Sequence, residues 1–122
     1  MRASQEFPAD ASAVPQARHW ASDLLSAHGY EQLVPDAGLC LSELAANAID
    51  HAVSAFRVDL NDEGGRVHVG VHDDDQVVPH LRHPAPDQPD GRGLLLVAAV
   101  AAAWGIECEV GWGKSVWFEL AL

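Results

Sequence analysis

Positive charge is scarce in this sequence. Its 122 residues hold 7 Lys and Arg against 18 Asp and Glu, a formal net charge of −11. Protonating all seven histidines would still leave −4. Non-specific nucleic-acid binding draws on clustered Lys and Arg to release counterions, so direct DNA or RNA binding is not expected. An anionic membrane surface is disfavoured on the same ground. A small polyanion such as a nucleotide remains open, because a few local cations, a metal ion or a helix end can hold one. Cysteine is scarce too, with only Cys40 and Cys108. That usage points to two buried thiols in a reducing compartment rather than a disulfide. Long apolar runs are missing. The longest, over 94–104, has eleven residues, against about 20 for a bilayer span. Residues 1–16 lack the apolar core of a signal peptide. The expectation is a cytoplasmic, untargeted chain.

What is present suits one domain, 1–122, with 48% apolar and 20% charged residues. Residues 7–9 suggest a short edge strand or arm, stopped by Pro8. Asp10 and Ser12 are candidate N-caps for a first helix, with Pro15 tolerable in its opening turn. Val14, Ala17, Ala21, Leu24 and Leu25 recur at helical spacing, and His28-Gly29 fits the helix end. A second helix is expected over 35–52. Strands are expected over 55–60 and 66–72, joined by a hairpin loop at 61–65. In the second strand Val67, Val69 and Val71 share one face, and His68, Gly70 and His72 the other. A polar, Pro-rich stretch fills 73–90, and loops of that length in small domains are usually functional. A third helix is expected over 94–104, ended by Gly105. Strands over 106–110 and 115–120 follow, with Trp112 and Trp117 read as core. Three helices and at least four strands imply a sheet with helices layered on it.

Three features could carry chemistry. Glu43, Asn47 and either Asp50 or His51 share one stripe of the second helix. The stripe is either a solvated outer face or the lining of a cleft. Gly91-Arg92-Gly93 stands directly before an apolar helix, where unpaired N–H groups and the helix dipole suit a phosphate. The plain alternative is an ordinary loop end. His72-Asp73-Asp74-Asp75 places carboxylates where a strand leaves the sheet. These could be a solvated acidic loop, part of a metal site with His68, His72, His80 or His83, or an acceptor for an exocyclic amine. The metal reading lacks a ligand spacing of the Cys-x-x-Cys or His-Glu-x-x-His kind.

In order along the chain, these features resemble the motifs of the GHKL ATPases, the superfamily of gyrase B, histidine kinases and MutL proteins. Ser42-Glu43-Leu44, Asn47-Ala48 and His51-Ala52 resemble its N-box. Val71-His72-Asp73 is similar to the second box, Gly91-Arg92-Gly93-Leu94 to the third, and Gly113-Lys114-Ser115-Val116-Trp117-Phe118 to the last. The wording and small size are most similar to anti-sigma-factor serine kinases and short actinobacterial ATP-binding regulators. The resemblance spans about residues 7–120. It implies the Bergerat fold, an α/β (α+β) two-layer sandwich with a mixed, mostly antiparallel sheet and helices on one face. It implies ATP and Mg2+ as cofactors. It assigns Glu43 as general base, Asn47 as Mg2+ ligand, and Asp73 as acceptor of the adenine amino hydrogen. Gly91, Arg92, Gly93 and Leu94 would meet the phosphates, and Ser115 would sit near adenine. A sigma factor, an antagonist (anti-anti-sigma) protein and a second copy in a homodimer are the implied partners.

The second box departs from the family's Asp-x-Gly-x-Gly. It reads Asp73-Asp74-Asp75-Gln76-Val77, without either glycine. Two readings follow: a protein kinase that sequesters a sigma factor and phosphorylates its antagonist, or a catalytically inactive module that works by partner binding alone. Retention of Glu43 favours the first, and the lost glycines favour the second.

Overall fold

A computed structural model describes residues 1–51, 55–74, 92–109, 111 and 113–122, with side chains for all of these but 51, 92, 93 and 109. The expected Gly91, the acidic and Pro-rich stretch from Asp75 onward, and Trp112 lie outside the described residues. In chain order the elements are β1 (Arg2–Pro8), α1 (Ala13–Ala27), a short 3-10 turn (Glu31–Leu33), α2 (Val34–His51), β2 (Ala55–Glu63), β3 (Arg66–Asp73), α3 (Arg92–Val100), β4 (Ala103–Glu109) and β5 (Gly113–Ala121). The strands form one sheet in the order β1-β2-β3-β5-β4, and every pairing is antiparallel. The helices cover one face of it, giving the two-layer α+β arrangement expected.

Alternation builds the covered face. Phe56, Val58 and Leu60 of β2, Val67, Val69 and Val71 of β3, and Val116, Phe118 and Leu120 of β5 all point into the core. Against them lie Ala17, Ala21 and Leu25 of α1, Leu41, Leu44, Ala45 and Ala48 of α2, and Leu94 and Val97 of α3. Each fully buried Val, Leu or Phe side chain is worth about 1.5–3 kcal/mol relative to exposure. Small alanines on α1 and α2 let the two helices pack closely over the sheet.

Three boundaries differ from expectation. The N-terminal strand is seven residues long, because β1 pairs with β2 along its whole length, from Arg2 opposite Asn61 to Pro8 opposite Ala55. Pro8 is tolerated at the end of an edge strand, where no ladder donor is needed. The β2–β3 ladder extends to Glu63 opposite Arg66, leaving only Gly64-Gly65 in the turn. Of the two candidate caps of α1, Ser12 holds the N-cap position and Asp10 supplies the side-chain bond. Asp10 Oδ1 accepts the Ser12 N–H at 2.9 Å, whereas the Ser12 side chain makes no cap bond.

The third difference is the end of α3. The run 98–103 is apolar on all sides, so periodicity could not locate the exit. The helix stops at Val100, and the Ala102 N–H already bonds the Glu119 carbonyl at 2.9 Å. Trp104 therefore belongs to β4, opposite Phe118. Gly105 is a strand residue, not a helix stop. A Cβ there would fall 2.6–2.8 Å from the Trp117 indole, which lies flat across β4. Trp117 is not core either. It is half-buried on the face away from the helices and stacks on His68 at 5.2 Å.

One polar cluster ties the helical layer to the far end of the sheet. Asp62 Oδ1 accepts from the Met1 ammonium at 2.6 Å, and its Oδ2 accepts the Tyr30 hydroxyl at 2.5 Å. The ammonium contact, then the phenol, hold the Asp62 carboxyl below its ordinary value of 3.8. A carboxyl depressed in the folded state stabilises above its unfolded value, and the gain is lost as pH falls through the folded value. Asp62→Asn is therefore expected to be less stable than wild type at pH 7. Urea titrations from pH 7 downward should show the gap closing only below about pH 4.

Candidate functional site

Helix α2 carries the first part of the site. Its interior is rich in Leu and Ala, which favour helix without restricting χ1. One flank is taken by α1. There Arg18 lays its aliphatic stem over Gly38, where an added Cβ would meet Arg18 Cγ and Cδ at 3.4 Å. Its guanidinium donates to Ser42 Oγ at 3.4 Å, and Ser42 Oγ donates to the Gly38 carbonyl at 2.7 Å. Glu43 and Asn47 lie one turn apart on the other flank, and both are half-buried. Asp50, the candidate third member of the stripe, is exposed. The stripe therefore borders the core rather than standing in open solvent along its length.

The second part is the end of β3. Asp73 is buried, and the ladder sets it opposite Lys114. Lys114 Nζ lies 3.8 Å from Asp73 Oδ2, with the two side chains 4% and 2% exposed. Two charges so fully removed from water need each other, because desolvation of either alone is costly. The backbone around them is equally tight. Gly113 has φ +98°, and a Cβ on it would fall 2.2 Å from the Asp73 carbonyl oxygen. Glycine is thus required on both counts, and the second and last boxes are joined at one point.

Ser115 is placed elsewhere. Alternation puts it on the opposite face of the sheet from Asp73, and its Oγ lies 3.4 Å from where a Cβ on Gly70 would be. The structure does not bring its side chain to Asp73. Lys114 occupies that position instead, a residue to which sequence reasoning gave no role. The signal was present: Lys114 alternates in register with Val116, Phe118 and Leu120, so a core-facing lysine was legible.

The third part is the start of α3. Arg92 and Gly93 are its first residues, and Leu94 follows with its side chain 1% exposed in the core. What Leu94 can offer a ligand is its backbone N–H in the first turn, where such groups have no intrahelical acceptor. On the outer face, Glu119 bridges Arg66 at 3.3 Å and His68 at 3.4 Å. Among the described residues, no group of three or more His, Cys, Asp or Glu side chains is placed to hold a metal ion. His72, Asp73 and Asp74 instead line, with Glu6, Phe56 and Arg57, a recess of about 170 Å³ at this end of the sheet.

The two cysteines divide. Cys40 is buried on α2, whereas Cys108 is exposed on β4, which corrects the expectation that both are buried. Burial, then the charges of Asp36 and Glu43, push the Cys40 thiol up to about 11. The thiolate is the reactive form, so Cys40 is inert near neutrality. Titration with a chromogenic disulfide at pH 8 should count one thiol in the folded protein and two in denaturant.

No helix among the described residues is long and apolar enough to cross a membrane. A search of curated proteins found no match. Residues 7–119, by contrast, match the family described as the histidine kinase-like ATPase domain. That span runs from Phe7, near the end of the edge strand, to Glu119 of β5 and takes in all the elements between them. By this match the chain belongs to the histidine kinase-like ATPase domain family, whose fold binds ATP.

Proposed function

We propose that this chain is an ATP-dependent serine/threonine kinase of the anti-sigma type, which sequesters a sigma factor and phosphorylates an antagonist protein. The observation that carries the reading is the half-buried Glu43–Asn47 stripe on α2, in a fold whose β3 ends on a buried Asp73. In this reading Asp73 accepts the adenine amino hydrogen. The α3 N-terminus, with Gly91, Arg92, Gly93 and Leu94, meets the phosphates through backbone N–H groups. The Asn47 amide oxygen fits Mg2+, which takes few protein ligands and keeps several waters. When bound, Mg2+ neutralises charge on the phosphates. Glu43, one turn earlier, accepts the proton of the substrate hydroxyl as its oxygen bonds in line to the γ-phosphorus and the bond from that phosphorus to the departing ADP breaks. A hydroxyl held at hydrogen-bond distance from Glu43 needs no covalent intermediate on the protein. The sigma factor and antagonist are proposed partners, as is a second copy of the chain.

The second reading, a module that binds partners without transferring phosphate, is favoured by two features. The second box lacks both glycines, and Asp73 is already engaged by Lys114.

Glu43→Ala separates the two. In the kinase reading nucleotide still binds, and transfer falls by roughly 10²–10⁴, the usual worth of a positioned base. Single-turnover transfer of labelled phosphate to a cognate antagonist measures it, beside a pull-down of the sigma factor. A wild-type protein that holds its partner but transfers nothing at any Mg2+ concentration rejects the kinase reading. Asn47→Ala is expected to lose the Mg2+-dependent part of ATP affinity and to bind ADP normally in excess chelator. Calorimetry with and without chelator checks it, and an equal fall in both would make Asn47 structural.

A further inference from the structure

The residue across the ladder from Asp73 changes what the site can read. A carboxylate only accepts hydrogen bonds, and an ammonium only donates them. With Lys114 Nζ 3.8 Å from Asp73 Oδ2, a base that reaches the carboxylate meets a donor within the same few ångströms. The contact of Gly113 with the Asp73 carbonyl fixes the two strands at this point, so the pairing is built into the backbone.

Purines differ at one edge. A 6-amino purine presents an N–H donor at position 6 and an acceptor at N1. A 6-oxo purine presents the reverse, an acceptor at O6 and a donor at N1. A lone carboxylate placed against position 6 matches the first and repels O6 of the second, and a shift to N1–H leaves O6 without a donor. Sites built on one such hydrogen bond reject a mismatched analogue by about 10⁴-fold or more. A carboxylate with an ammonium beside it matches both. Asp73 takes the 6-amino hydrogen while Lys114 donates to N1, or Asp73 takes the N1 hydrogen while Lys114 donates to O6. The four-carbon stem and three rotatable donors of lysine allow that shift, which a rigid guanidinium would resist.

We propose that Asp73 and Lys114 together form a two-residue base reader that accepts both 6-amino and 6-oxo purine nucleotides. The proposal rests on the reading of Asp73 as the base contact. Lys114 thus sets nucleotide specificity, and the ligand class is purine nucleotide rather than adenine nucleotide alone.

Calorimetry of the full chain with Mg2+ and ATP, GTP or ITP tests it. ITP carries the 6-oxo edge without the 2-amino group of guanine, so it isolates position 6. The expected result is ITP binding within about tenfold of ATP, far from the rejection a lone acceptor gives. ATP that binds while ITP is weaker by more than about 100-fold overturns the base reader and leaves the Asp73 assignment standing. No binding of any of the three overturns both. Lys114→Met keeps the stem and removes the donor, and is expected to raise the ATP-to-ITP ratio at least tenfold. An unchanged ratio overturns the role of Lys114. If circular dichroism shows that Lys114→Met does not fold, the wild-type ratio decides alone.

Discussion

The contact between Gly113 and the carbonyl of Asp73 is the constraint on which the rest of the site depends. It occurs where β3 ends and β5 begins, and no side chain larger than hydrogen fits between them. Because the strands meet there, Lys114 must face Asp73, and Val116, Phe118 and Leu120 must follow onto the core face. The hydrophobic layer and the buried ion pair are therefore set by one register. A slip of one residue would turn Lys114 to solvent and Ser115 and Trp117 into the core.

The buried pair also carries a stability cost of its own. A salt bridge taken out of water is rarely a net source of stability. Its retention on the core face of an otherwise apolar strand is a cost that hydrophobic burial elsewhere offsets. The helical layer carries less of this tension. Glu43 and Asn47 stand at the margin of the core, where their polar ends need no buried partner.

Much of this was legible in the sequence. The period-2 pattern of β3 and the 3.6 pattern of α1 and α2 placed those elements, and the motif order placed Glu43, Asn47 and Asp73 on them. What was not legible had physical reasons. The run 98–103 has no polar residue to mark a face, so the helix end and the true start of β4 were hidden. Gly105 looked like punctuation because sequence does not show the Trp117 ring lying over it. Ser115 was placed by resemblance to a motif, and the strand register shows that Lys114 is the residue facing Asp73. Cys108 lies on an edge strand whose exposure depends on what packs beyond it, which no local pattern encodes.

The strand order has a consequence in time. β5, the last strand in sequence, lies inside the sheet between β3 and β4. Until it is made, β3 keeps an open edge, β4 has no neighbour among the described strands, and Asp73 lacks its counter-charge. Such non-local pairing delays closure of the sheet during folding. A chain leaving the ribosome therefore carries its α2 stripe before β5 has emerged, and the Asp73–Lys114 pair forms only once β5 docks on β3. Under the proposed reading, the docking of β5 that completes the sheet is also the event that assembles the base contact.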